Sequence, residues 1–243
     1  MKRVAIAVLV FLGAWGLPLA GAADANTPIA PAAQPFPTGA YGIATARREQ
    51  FLALWSGPSA HSRSLFLLWP QDVWGGPTTL SVLAVKGAWV EGVAGTAQSD
   101  GPARLDNVPV WVRRADVVLT WTRYRIDISL GARRLWLVHG GRVVSSWIVG
   151  TGAPSSPTPI GRFALVDKVS GADFGPAYGC CVLGLSAQEH RGALAGGQIA
   201  IHGTDRAASI RANLSNGCVH GTNAMLHELS RRVPLGTPVF VTR

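Results

Sequence analysis

Cys218 and His202 are the residues whose types and spacing go beyond what a packed protein needs. A thiol attacks a carbonyl only as thiolate. A free cysteine, with a pKa of about 8.5, is mostly protonated at neutral pH and needs an imidazole or a cation within hydrogen-bond reach. His202 ends an apolar stretch, Gln198 to Ile201, that predicts a short strand, and Gly203 permits an immediate turn. Cys218 follows Ser215, Asn216 and Gly217, all turn formers, and a glycine before a nucleophile lets backbone amides approach a reacting carbonyl oxygen. The pair reads as the base and nucleophile of an acyl-transfer site. Two other readings stand beside it. Both residues are often simply buried. Alternatively, His202, Cys218 and His220 could bind zinc with Cys180 or Cys181, although their spacing fits none of the compact ligand patterns.

The surrounding motifs resemble the L,D-transpeptidase catalytic domain of the YkuD type. His202, Gly203 and Thr204 match its H-G-T strand end; Ser215, Gly217, Cys218 and Val219 match its S-x-G-C element. Upstream, Thr158, Pro159, Gly161 and Phe163 match a T-P-x-G-x-F element, after Gly150 and Gly152. The resemblance runs from about Tyr124 to Arg243. It implies a mainly β fold, a YkuD-like β-sandwich with one or two short helices. It also implies that Cys218 forms a thioester with the peptidoglycan tetrapeptide stem, that His202 moves the proton and that the Gly203 carbonyl orients the imidazole. Ser215, Asn216, Gly217, His220 and Tyr178 are the implied substrate contacts, and amides near Gly217 and Cys218 the implied oxyanion donors. A second stem would resolve the thioester into a 3→3 cross-link. Family members are typically acylated by carbapenems, and the resemblance implies neither cofactor nor metal. Two positions depart from the pattern: His220 stands where the family usually has Arg, and Arg211 where a glycine is common. Histidine in mild acid would supply the missing charge, which predicts a narrow pH band of activity. Water or a protein lysine as acceptor, and a non-catalytic wall-binding protein, remain open.

Composition sets the class. With 243 residues, 48% hydrophobic and 14% charged, the chain reads as a packed globular protein, and its net charge of +9 favours anionic wall polymers or membrane surfaces. Nucleic acid is not an expected partner, because the arginines fall in scattered pairs such as Arg47/Arg48 and Arg231/Arg232 without a binding motif. Lys2 and Arg3, an apolar run from Val4 to Leu17 and small residues around Ala20-Gly21-Ala22 predict a secretory signal over residues 1–22. The expected location is therefore the periplasm or extracellular wall, with no stable membrane anchor after cleavage. Three cysteines leave at least one unpaired. Cys218 is the expected free thiol, while Cys180 and Cys181 could be a vicinal disulfide, two thiols, or a partner that captures Cys218.

The supporting elements follow in order. Residues 23–59 read as a Pro/Ala-rich linker with a short amphipathic helix over 44–55. Residues 60–120 read as short strands that weakly resemble a small bacterial SH3-like barrel, with Trp89-Val90 and Trp111-Val112 carrying the likeness. Residues 122–243 form the catalytic half. There, strands are expected over 125–130, 135–138, 143–149, 162–169 and 238–242, with a hairpin turn at His139–Arg142. A capping box at Ser186 and Glu189 predicts a short helix, and Thr222 or Asn223 caps a second one bearing Met225, Leu226, Leu229 and Val233 on one face.

Overall fold

Period-two burial organises most of the chain, as strands with one covered face require. The computed structural model describes residues 35–95, 108–189 and 197–243. The predicted signal peptide lies outside them, and so does the linker up to residue 34. No helix among the described residues is long and apolar enough to cross a membrane.

The first seven strands are β1 (Tyr41–Ala46), β2 (Leu52–Trp55), β3 (Ser64–Leu68), β4 (Thr79–Lys86), β5 (Trp89–Ala94), β6 (Val110–Arg113) and β7 (Val117–Thr122). They pair in the order β3-β2-β6-β5-β4-β1-β7. The helix expected over 44–55 is thus two strands, β1 and β2. Leu52 and Leu54 are both fully buried, a two-residue repeat that a helix would splay onto different faces. A turn closed by Gln50 N–H on the Arg47 carbonyl separates the strands. The sheet therefore starts well before residue 60.

The second half contributes β8 (Tyr124–Ser129), β9 (Arg134–His139), β10 (Arg142–Ile148), β11 (Thr151–Gly152), β12 (Gly161–Ser170), β13 (Cys181–Gln188), β14 (Gln198–His202), β15 (Asn213–Ser215), β16 (Val219–His220), helix α1 (Asn223–Arg232) and β17 (Pro238–Thr242). Eight of these strands form one sheet, β10-β9-β8-β17-β12-β13-β14-β16, and β11 pairs separately with β15. The fold is mainly β with one α-helix. Gly140 and Gly141 both adopt positive φ in the two-residue turn joining β9 to β10, as a tight hairpin demands. Helix α1 is capped by Thr222, whose Oγ1 accepts from Met225 N–H at 3.2 Å, and Met225, Leu226 and Leu229 bury one face beside β13 and β14. Ser186 does not cap a helix, and the residues that would follow it, 190–196, lie outside the described ones. Ser186 lies inside β13, and its hydroxyl accepts from Ala164 N–H at 2.8 Å, stitching β13 to β12.

The two sheets share a polar junction. Arg162 Nη2 donates to the Val82 carbonyl at 3.0 Å, and Arg125 Nη1 to Tyr41 Oη at 3.0 Å. The buried carboxyl of Asp167 on β12 receives Gln198 Nε2 and bonds to Asp72 from the loop after β3. Asp72 Oδ1 in turn accepts from Trp74 N–H at 2.8 Å and Gly76 N–H at 2.7 Å, closing that loop on itself. Gly184 makes the junction possible, because a Cβ there would run into Asp167 and Gln198.

Candidate active site

His202 is the last residue of β14 and is only 5% exposed. Its Nδ1 lies 2.6 Å from the carbonyl oxygen of Gly203. A carbonyl can only accept, so this contact puts the proton on Nδ1 and leaves Nε2 as a base. Tyr178 and His220 flank the imidazole with ring centroids 4.6 Å away on each count.

Strand β16 runs parallel to β14, with Val219 beside Ile201 and His220 beside His202. Side chains alternate along a strand, and the fully buried Ile201 and Val219 point to the opposite face. His202, His220, Ala200 and Cys218 therefore share one face across neighbouring strands. Cys218 Sγ sits 3.4 Å from Ala200 N, which donates to it. Thiol and imidazole line the same cavity of about 400 Å³.

The turn before Cys218 is held by Ser215. Its Oγ donates to the Cys218 carbonyl at 2.6 Å and accepts from Gly217 N–H at 3.2 Å. The Ser215 hydroxyl thus staples the nucleophile's turn, and Gly217 N–H is engaged by it. Gly217 itself is required by conformation and space: its φ is +121°, and a Cβ would strike Ile199. Of the substrate contacts the resemblance implies, Tyr178, Ser215, Asn216 and His220 line the cavity. So do Glu189, Arg206 and Leu214, none of which the sequence singled out for this site.

Burial dominates the electrostatics. It pushes the Cys218 thiol up to about 11, partly offset by the Ala200 N–H and reinforced by Glu189. It pulls His202 down to about 4, against the opposing pull of the Gly203 carbonyl and with help from His220. The resting pair is a neutral thiol beside a neutral imidazole. His220 is also shifted down by burial, which weakens it as a source of the charge that Arg carries at this position in the family. The narrow pH band is revised accordingly. A base with a depressed pKa stays unprotonated further into acid, so kcat/KM should persist well below pH 6 and fall only as His202 protonates near pH 4. Iodoacetamide labelling of Cys218 should accelerate with pH toward about 11. A kcat/KM decline centred on pH 6.5 would contradict this reading.

The cysteine arithmetic resolves. Cys180 and Cys181 form a vicinal disulfide and Cys218 is free. Both disulfide sulfurs lie close to His227, a grouping unlike the zinc set considered from sequence, and oxidised sulfurs are not thiolate ligands. The disulfide is tied to the site through backbone. Gly203 N–H donates to the Cys181 carbonyl at 3.2 Å, and Asn223 Oδ1 accepts from Cys180 N–H at 2.9 Å.

Arg211, at the family's common glycine position, has φ +80°. Left-handed backbone costs a non-glycine residue about 1–2 kcal/mol. Arg211→Gly should therefore stabilise the protein by up to about 1 kcal/mol, a rise of about 2–4 °C in Tm for a chain of this size. Calorimetry would check it.

Residues 123–241 match the family of YkuD L,D-transpeptidase catalytic domains. This half of the chain belongs to that family. The YkuD protein of Bacillus subtilis (strain 168) is 32% identical over 120 residues, covering 49% of this chain and 66% of its own length. YkuD of Bacillus licheniformis is 34% identical over 119 residues, with the same two shares. The chain thus spans 66% of the length of these curated relatives. The solved catalytic domain of an Enterococcus faecium L,D-transpeptidase is 22% identical, covers 49% of this chain and 95% of its own, and superposes with a TM-score of 0.37. Family membership rests on the sequence match. That match stops short of the seven-stranded sheet, so the SH3-like resemblance gains no support from it.

Proposed function

We propose that this protein is an exported L,D-transpeptidase that acts on peptidoglycan tetrapeptide stems through Cys218. The observation that carries the reading is His202, fixed by the Gly203 carbonyl so that Nε2 is the free base, on the strand beside Cys218 in one cavity. Cys218 Sγ adds to the carbonyl of the third stem residue while its proton passes to His202 Nε2. The C–N bond to terminal D-alanine then breaks, and His202 returns the proton to the departing amine. A side-chain amine of a second stem attacks the thioester, the C–S bond breaks and the thiol regains a proton, leaving a 3→3 cross-link. Because resting thiol and imidazole are both neutral, the proton moves as the S–C bond forms, and no preformed ion pair is needed.

Arg206 supports the reading from the substrate side. It lines the cavity and offers a stem carboxylate a guanidinium, while burial weakens the half-buried His220 as a cation. Export follows from the residue 1–22 signal pattern, and the net charge of +9 suits an anionic wall.

The test is mass spectrometry of products from purified tetrapeptide muropeptides. Cross-linked dimers lacking one D-alanine support transpeptidation. Tripeptides alone would indicate water as acceptor, and unchanged substrate would overturn the proposal.

A further inference from the structure

We propose that a strip of aromatic rings leading out of the active site binds the sugar chain of the substrate. This rests on the reading of the site as one for peptidoglycan stems. From His202 the rings run outward through Tyr178 to Phe174, with centroids 5.1 Å apart, and then to Trp74 at 4.9 Å. Tyr178 and Phe174 come from the catalytic half, whereas Trp74 is held out to them by the Asp72-closed loop of the other sheet. The strip thus crosses the seam between the sheets and begins inside the catalytic cavity.

These rings are not core. Phe174 is 38% exposed and Trp74 47%. On the same loop as Trp74, Trp69 packs on Phe51, is 61% exposed and lines a concavity of about 340 Å³ together with Gln71. Aromatic surface left open in a continuous run marks a binding face. Its chemistry selects the occupant. A pyranose ring offers a flat C–H face to an aromatic ring and hydroxyls to nearby amides, which Trp69 and Gln71 together supply. Successive rings are tilted by 59° and 37°, a curved platform rather than the deep apolar groove an amphipathic helix needs. A stem peptide seated at Cys218 is covalently attached to a chain of N-acetylhexosamines. A strip that starts at Tyr178 is where that chain would lie.

The experiment uses peptide-free glycan oligosaccharides, which cannot be turned over, titrated calorimetrically into the full chain. Wild type should bind, Trp74→Ala and Phe174→Ala should each weaken binding about tenfold, and Trp74→Phe should keep most of it. Retention by Trp74→Phe separates loss of stacking from loss of fold. A parallel assay compares kcat/KM for disaccharide-tetrapeptide with that for free tetrapeptide, and the wild-type preference should shrink in Trp74→Ala. Glycan binding that depends on Trp74 in a protein with no turnover would sustain this inference while sinking the proposed reaction. Turnover with no glycan binding, or binding indifferent to Trp74 and Phe174, overturns the inference alone.

Discussion

Cys218→Ala should eliminate acyl transfer while leaving the fold intact. The change removes one sulfur from a side chain whose neighbours, the Ala200 amide and the Gln198 carbonyl, also belong to the β14 backbone. The structural cost is therefore small. The catalytic cost is large, because no other cysteine is free: Cys180 and Cys181 are joined to each other. When nucleophile and base act as a unit, losing either costs about as much as losing both, so His202→Ala should fall to a similar level, at least about 10³-fold below wild type. Circular dichroism would show that both variants fold. A carbapenem should add its intact mass to Cys218 in wild type and to nothing in Cys218→Ala. Product formation by Cys218→Ala above a trace, or a drug adduct on another residue, would remove Cys218 from its role.

Gly203→Ala is expected to be almost as damaging, through position rather than chemistry. A Cβ there would collide with Asn223 Oδ1 and come within 2.9 Å of Gly179 Cα and 3.1 Å of the Tyr178 carbonyl. Two of those three obstacles are backbone, which cannot swing aside. The opposing Gly179 has φ +62°, so that segment has no relaxed alternative for a side chain either. Relief must come from moving the Gly203 peptide, whose carbonyl holds His202 Nδ1 and whose N–H bonds to Cys181. The expected outcome is a loss of about 2–4 kcal/mol of stability, the range for overpacking a tight site. Activity should fall roughly 10²-fold, as for a base displaced by about 1 Å. Denaturant titration and kinetics at a temperature where the variant is fully folded would separate the two effects. Wild-type kcat in a folded Gly203→Ala would show that the carbonyl does not orient the imidazole.

How much of this was legible beforehand depended on how local each signal was. His202 ends a short strand and Cys218 directly precedes another, and the turn residues Ser215, Asn216 and Gly217 announce the second of them. Helix α1 carried both its cap and its apolar stripe within a dozen residues. The segment over 44–55 carried no such arbitration. Its apolar residues suit either period, and only pairing with β4, β7, β3 and β6, distant in sequence, makes it two strands. Ser186 and Glu189 imitate a capping box, yet Ser186 is drawn into β13 by its bond to Ala164, twenty-two positions away. Glu189, Arg206 and Leu214 were not tied to the site because two loops and the short β15 carry them to the cavity, and no spacing rule connects them to Cys218. Arg211 was visible as a departure from a pattern. What the departure costs, a left-handed arginine, is a property of the backbone alone.

The carboxyl of Asp167, hydrogen-bonded to Asp72, makes the protein's folding equilibrium a proton-uptake reaction. Burial, chiefly, and then the neighbouring Asp72 raise Asp167 to about 7 against the opposing Gln198 bond, whereas an unfolded aspartate titrates near 3.8. Between those values the native chain holds a proton that the unfolded chain has released. By linkage the associated stability is complete below the unfolded value, declines as pH rises and is gone above the native one. Wild type should therefore melt at progressively lower temperature from about pH 4 to pH 7, and Asp167→Asn, which holds its hydrogen at every pH, should flatten that slope. A slope identical in both proteins would place the proton elsewhere. The joint between the two sheets is, on this account, tightest in acid.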